Sequence, residues 1–129
     1  MTFHDFELDY LASQPLGRLA TARPNGTLQV SPVGFGYNAE LGTIDIRGYR
    51  MTRSRKYRNV ADNGRVAFVV DDLRSRDPWR VRCLEIRGTA EVVPDQELIR
   101  IHPKRIISFG IDDADSDPHE VTVHARDVG

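Results

Sequence analysis

The amino-acid sequence predicts a mainly β protein with short helices, its antiparallel strands curling into a small barrel. Apolar and polar residues alternate in short runs such as Thr43-Ile44-Asp45-Ile46-Arg47, the period-two pattern of a half-buried strand. Turn-forming clusters separate the runs, among them Pro24-Asn25-Gly26 and Asn38-Ala39-Glu40-Leu41-Gly42. Segments of helical period are few and short, and many short strands joined by turns favour closure into a barrel.

In chain order, residues 5–13 set Phe6, Leu8, Tyr10 and Leu11 loosely on one helical side, with Asp5 as a cap. Residues 16–23 read as a strand that stops at Pro24-Asn25-Gly26, a strong hairpin signal. The return strand covers residues 27–37 and contains Pro32. Proline cannot donate to a ladder, so this strand is bulged or lies at a sheet edge there. A third strand, residues 43–47, leads into a basic segment and a short helix that ends at Gly64. Residues 65–71 form an apolar run of the length of a buried strand.

A polar loop is expected over residues 72–78, then a long strand over 79–92 with Gly88 as a bulge or close-approach point. Pro94 and the acids after it carry a helix-start signature, so residues 94–101 are expected to be a short helix, with His102 at its end. The last strands are expected at 104–111 and 120–125.

The segment from Arg47 to Asn59 holds six cationic side chains and no acid. Thr52 or Ser54 can cap the helix that starts within it, and Tyr57, Val60 and Ala61 give that helix an apolar stripe. A helix start carries roughly +0.5 charge, so Arg53, Arg55 and Lys56 crowd the wrong end. An anion reverses the argument, because free helix N–H groups and cationic side chains together make a phosphate site.

With 129 residues the chain is expected to be one domain, 1–129, near the size at which pairing helps to bury surface. A net charge of −1 argues against broad affinity for nucleic acid or membrane and for a small anionic ligand at the local cluster. Cys83 is the only cysteine, so a reducing, cytoplasmic setting is expected. Alternating neighbours make its thiol a strand side chain rather than a nucleophile. Neither a signal peptide nor a membrane span is expected.

Other motifs lead elsewhere. Gly34-Phe35-Gly36-Tyr37-Asn38-Ala39 has the letters of a dinucleotide fingerprint, but a turn and a strand follow where a helix is needed. Asp113-Ala114-Asp115-Ser116-Asp117 opens like a calcium loop, yet Pro118 replaces the required glycine and His124 the bidentate glutamate. His4, His102, His119 and His124 are scattered without metal-ligand spacing, and hydrolase motifs are missing. No side chain presents itself as an obligate catalytic acid or base.

The proline-kinked strand, the third strand and Ser54-Arg55-Lys56 at a helix start resemble the split-barrel family of pyridoxamine-phosphate oxidases. Ser54-Arg55-Lys56-x-Arg58-Asn59 followed by residues 65–72 is most similar to its actinobacterial deazaflavin branch, which uses coenzyme F420. Residues 16–26, 30–33, 85–91 and 103–110 share in the likeness, which spans nearly the whole chain. The resemblance implies an FMN-binding type of split barrel with about six antiparallel strands, a homodimer and two cofactor sites at the subunit interface. It also implies that Arg55 and Lys56 bind the cofactor phosphate, with Arg53, Ser54 and Asn59 beside them. Ser31, Pro32, Val33, Arg47, Gly48 and Tyr49 would line the ring, and Trp79 of the partner subunit would complete the site. The sequence ends at Ala125-Arg126-Asp127-Val128-Gly129, without the family's long basic C-terminal extension, so oxidation of pyridoxine phosphate is not expected. The implied activity is hydride transfer between a bound deazaflavin and a small organic substrate. FMN in the same site, or a non-catalytic cofactor carrier, are the alternatives.

Overall fold

The computed structural model describes residues 2–112 and 121–129. Helix α1 (Asp5–Ser13) precedes strands β1 (Gly17–Ala22), β2 (Leu28–Val33), β3 (Gly36–Asn38) and β4 (Thr43–Arg47). A 3-10 turn at Met51–Arg53 leads into helix α2 (Arg55–Asn63), then β5 (Arg65–Arg76), β6 (Trp79–Val93), β7 (Leu98–Phe109) and β8 (His124–Asp127). The strands form one antiparallel sheet in the order β2-β1-β5-β6-β7-β4-β3, with β8 also paired to β7. The sheet curls around a core of Leu19, Ile44, Ile46, Phe68, Val70, Ile86 and Ile101, giving the barrel that the short strands foretold and the split form that the family resemblance implied.

Local signals translate directly in several places. The β1–β2 hairpin closes around Pro24-Asn25-Gly26, where the Arg23 N–H donates to the Thr27 carbonyl at 2.8 Å. Pro32 is tolerated because β2 is an edge strand of the sheet. Gly88 sits where the β6–β7 register shifts, and a Cβ there would run into the His102 carbonyl. Gly64 ends α2 at φ 68°, a conformation that favours glycine, and its carbonyl accepts from the Ala90 N–H at 2.8 Å.

Elsewhere pairing overrides local preference. The expected helix over 94–101 is a single 3-10 turn, Pro94–Gln96, after which Glu97 at φ 53° reverses the chain into β7. Leu98, Ile99 and Ile101 are fully buried between β6 and β4, so strand pairing outweighs the helix-start residues. His102 and Pro103 therefore lie within β7, and His102 pairs with Glu91 at 2.6 Å. The supposed polar loop at 72–78 is mostly strand: β5 runs on to Arg76 and meets Trp79 of β6 across a tight turn. The expected strand over 27–37 divides into β2 and β3, and the last strand begins at His124. The calcium-like stretch 113–117 and His119 lie outside the described residues.

Helix α1 is anchored by a carboxylate as well as by the apolar stripe read from its sequence, of which Tyr10 and Leu11 are buried in the core. Its cap is His4, not Asp5. Phe6 and Leu8 are half-buried, whereas Glu7 is 0 % exposed. Glu7 accepts from the His4 N–H at 2.9 Å, Ser108 Oγ at 2.5 Å and the Arg126 guanidinium at 2.5 Å. One carboxylate thus ties α1 to β7 and β8.

Candidate functional site

The basic segment leaves β4 at Arg47, Gly48 and Tyr49, all exposed. Tyr49 is 88 % exposed, and the Arg50 guanidinium lies 5.1 Å from its ring centroid. Arg50 adopts φ 53°, which turns the chain into the 3-10 turn that ends at Arg53. Ser54, not Thr52, caps α2: its Oγ accepts from the Tyr57 N–H at 3.3 Å and donates to the Met51 carbonyl at 2.6 Å. Arg55 and Lys56 are then the first two helical residues, beside N–H groups that have no partner within the helix.

No acid answers these cations: among the described residues, Arg53, Arg55, Lys56 and Arg58 form no salt bridge. Arg58, and to a lesser degree burial and Arg23, hold the Arg55 guanidinium below its ordinary value. Arg23 belongs to the β1–β2 hairpin, so that turn adds a cation from outside the basic run. Like charges held together at the positive end of a helix are unfavourable unless an anion joins them.

The inward face of α2 differs from the expected stripe. Tyr57 and Val60 are buried, Ala61 is exposed, and Asn59 is 0 % exposed. Asn59 Nδ2 donates to Thr21 Oγ1 at 3.0 Å and to Gln29 Oε1 at 3.4 Å, joining α2 to β1 and β2. Ser31, two residues beyond Gln29, lies on the same side of β2, as does the buried Val33, while Pro32 points outward. The Asn59–Gln29 contact thereby connects α2, with Ser54, Arg55 and Lys56 at its start, to the strand that carries Ser31, Pro32 and Val33. Trp79 stands apart at the tip of the β5–β6 hairpin, opposite Arg76 and 60 % exposed.

Two buried side-chain oxygens among the described residues have no hydrogen-bond partner, Ser31 Oγ and Asn59 Oδ1. Each such atom costs about 1–3 kcal/mol when left unmet. Both lie on this connection; Ser31 Oγ can donate, and with the unopposed cations it fits a site that an anionic, hydrogen-bonding ligand completes. Thr21, Gln29 and Arg23 were not recognised in the sequence. The period of β2 places Gln29 beside Ser31, but nothing local marks Arg23 or Thr21 as neighbours of a helix some 30 residues away.

Cys83 is unsuited to nucleophilic chemistry, since burial, and then Asp71 and Glu85, push its thiol up to about 11.

The fold is that of a split-barrel protein, and an unopposed cationic cluster stands at the start of α2. The chain belongs to the pyridoxamine 5'-phosphate oxidase family, whose model matches residues 4–123. It is 47% identical over 138 residues to a 5a,11a-dehydrotetracycline/5a,11a-dehydrooxytetracycline reductase of Streptomyces rimosus, a match covering 99% of this chain and 94% of that protein. A solved FAD-binding protein from Mycobacterium smegmatis is 25% identical with a TM-score of 0.62, over 81% of this chain and 91% of that one. A solved F420 reductase is 28% identical with a TM-score of 0.57, over 74% of this chain and 91% of that one. The protein is thus an oxidoreductase of the flavin or deazaflavin type. No helix among the described residues is long and apolar enough to cross a membrane.

Proposed function

We propose that this oxidoreductase is a reductase that binds coenzyme F420 and passes its hydride to a small organic acceptor in the cytoplasm. The observation that carries the reading is the unopposed set of cations at the start of α2, capped by Ser54. Arg55 and Lys56 would hold the cofactor phosphate, with Arg53 beside them. Ser31, Pro32, Val33, Arg47, Gly48 and Tyr49 would border the ring, which itself supplies the hydride chemistry. Arg23, Arg50 and Arg58 add positive charge beyond what one phosphate needs, which favours the longer, more anionic F420 over FMN. The dehydro substrate of the Streptomyces rimosus relative points to a carbon–carbon double bond as the acceptor.

The site is proposed to form in a homodimer. Leu28 and Val30 on β2 are 78% and 67% exposed. They flank open grooves of about 280 and 470 Å³ that Ala20 and Ala67 also line, an apolar face suited to a second copy. In the pair, Trp79 of the partner subunit would close over the ring.

Titration of the purified protein with F420 and with FMN, followed by fluorescence, tests the cofactor. Tighter binding of F420 is expected, and submicromolar FMN binding with none for F420 would overturn the choice. Lys56→Glu should weaken cofactor binding about a hundredfold, since it removes a charge-assisted contact and adds repulsion. Normal binding by Lys56→Glu would refute the phosphate site.

A further inference from the structure

Gln29 is held by one end. Its Oε1 accepts from Asn59 Nδ2 at 3.4 Å, and no partner engages its Nε2 among the described residues. A side-chain amide offers two donors and one acceptor centre, so with the carbonyl taken from within, the half-buried NH2 is left as a donor. Asn59 is well placed to enforce this. It is 0 % exposed, its Nδ2 is also committed to Thr21 at 3.0 Å, and α2 holds its backbone.

The location gives that donor a use. On β2, Gln29 is two residues from Ser31, on the same face. On α2, Asn59 lies one turn beyond Arg55, and residues four apart share a helix face. Gln29 therefore stands between the strand proposed to border the ring and the helix start proposed to hold the phosphate. A cofactor spanning the two must pass its hydroxylated linker across this position.

We propose that Gln29 is a cofactor-binding residue whose amide NH2 donates to an oxygen of the hydroxylated linker or of the phosphate it carries, and that buried Asn59 is the positioning residue that fixes the amide in this sense. The inference rests on the phosphate site proposed above. It assigns Asn59 an indirect role: its contacts are with Thr21 and Gln29, and it acts on the ligand through Gln29.

The test uses the full chain, with F420 and FMN as probes and the melting temperature of each variant as a check on folding. Gln29→Met keeps the length of the side chain and removes the amide, and should weaken whichever cofactor binds about tenfold. Gln29→Glu can still accept from Asn59 but brings negative charge towards the phosphate, and should weaken binding further, about a hundredfold. Asn59→Asp reverses the polarity of the positioning contact, turning the Gln29 carbonyl outward, and should weaken binding in the Gln29 protein but not further in Gln29→Met. That non-additivity separates positioning through Gln29 from a merely structural role. Should Asn59→Asp fail to fold, the two Gln29 variants decide the proposal between them. Wild-type affinity in both Gln29 variants, alongside weakened binding by Lys56→Glu, would overturn this inference and leave the phosphate site standing. Normal binding by Lys56→Glu would overturn both.

Discussion

Arg126→Met is the most informative perturbation of the scaffold, because it strands a buried charge. Glu7 is 0 % exposed and the Arg126 side chain 23 %. Burial alone would raise the Glu7 carboxyl. Hydrogen bonds from Arg126 and Ser108, then the His4 N–H, overcome this and hold it below its ordinary 4.5. Removing one partner of a buried ion pair costs about 3–5 kcal/mol. Partial exposure of Arg126 and the surviving bonds to Glu7 place this case near the lower end, about 3 kcal/mol at pH 7. For a chain of this size that is a drop of roughly 10 °C in melting temperature. The pH dependence fixes the cause. A carboxyl with a depressed folded pKa contributes stability that is fully present above 4.5 and is lost as the pH falls through the folded value. In Arg126→Met the carboxyl takes up a proton more readily, so the gap between wild type and variant should narrow as the pH is lowered from 7 towards 4. Urea unfolding across that range measures it. A gap below about 1 kcal/mol at pH 7, or one that stays constant to pH 4, would refute the reasoning.

Two further changes probe the sheet. Gly88→Ala puts a methyl against the His102 carbonyl, forcing β6 and β7 apart at the bulge. A loss of about 1–3 kcal/mol is expected in thermal or urea unfolding, and unchanged stability would mean that the strands do not approach this closely. The Cys83 thiol, pushed up to about 11, should react with iodoacetamide far more slowly at pH 7 than a free peptide thiol and should speed up as the pH approaches 10. Rapid labelling at neutral pH would contradict its half-buried position between Asp71 and Glu85.

Legibility of this protein in its sequence follows the range of the interactions involved. Pro24-Asn25-Gly26, the strand at residues 43–47, the Ser54 cap and the αL glycine at 64 act within a few residues, and each appears in the structure where it was read, although Thr43 and Asp45 are buried with Ile44 and Ile46 rather than alternating with them. Pro94 and Asp95 are equally local signals for a helix, yet the chain forms strand from Leu98. Three fully buried residues, Leu98, Ile99 and Ile101, lie against β4 and β6, and their burial outweighs one turn's preference. Glu7 and Asn59 show the same limit, since nothing local marks either as buried. A polar side chain within an amphipathic helix reads as solvent-facing until its distant partners are known, and those are Ser108 and Arg126 for one, Thr21 and Gln29 for the other.

By itself the sequence determined the mainly β architecture, the family and the presence of an uncompensated basic cluster at a helix start. The architecture and the cluster depend on composition, period and charge, and the family on the resemblance of motifs such as Ser54-Arg55-Lys56, all written along the chain. Tertiary structure alone decided what surrounds the cluster: Arg23 added from a hairpin, Gln29 held by a buried asparagine, and, among the described residues, two buried oxygens left without partners. Such features exist only once strands distant in sequence lie side by side, because a hydrogen bond's geometry and a side chain's burial belong to pairs of residues and not to either one.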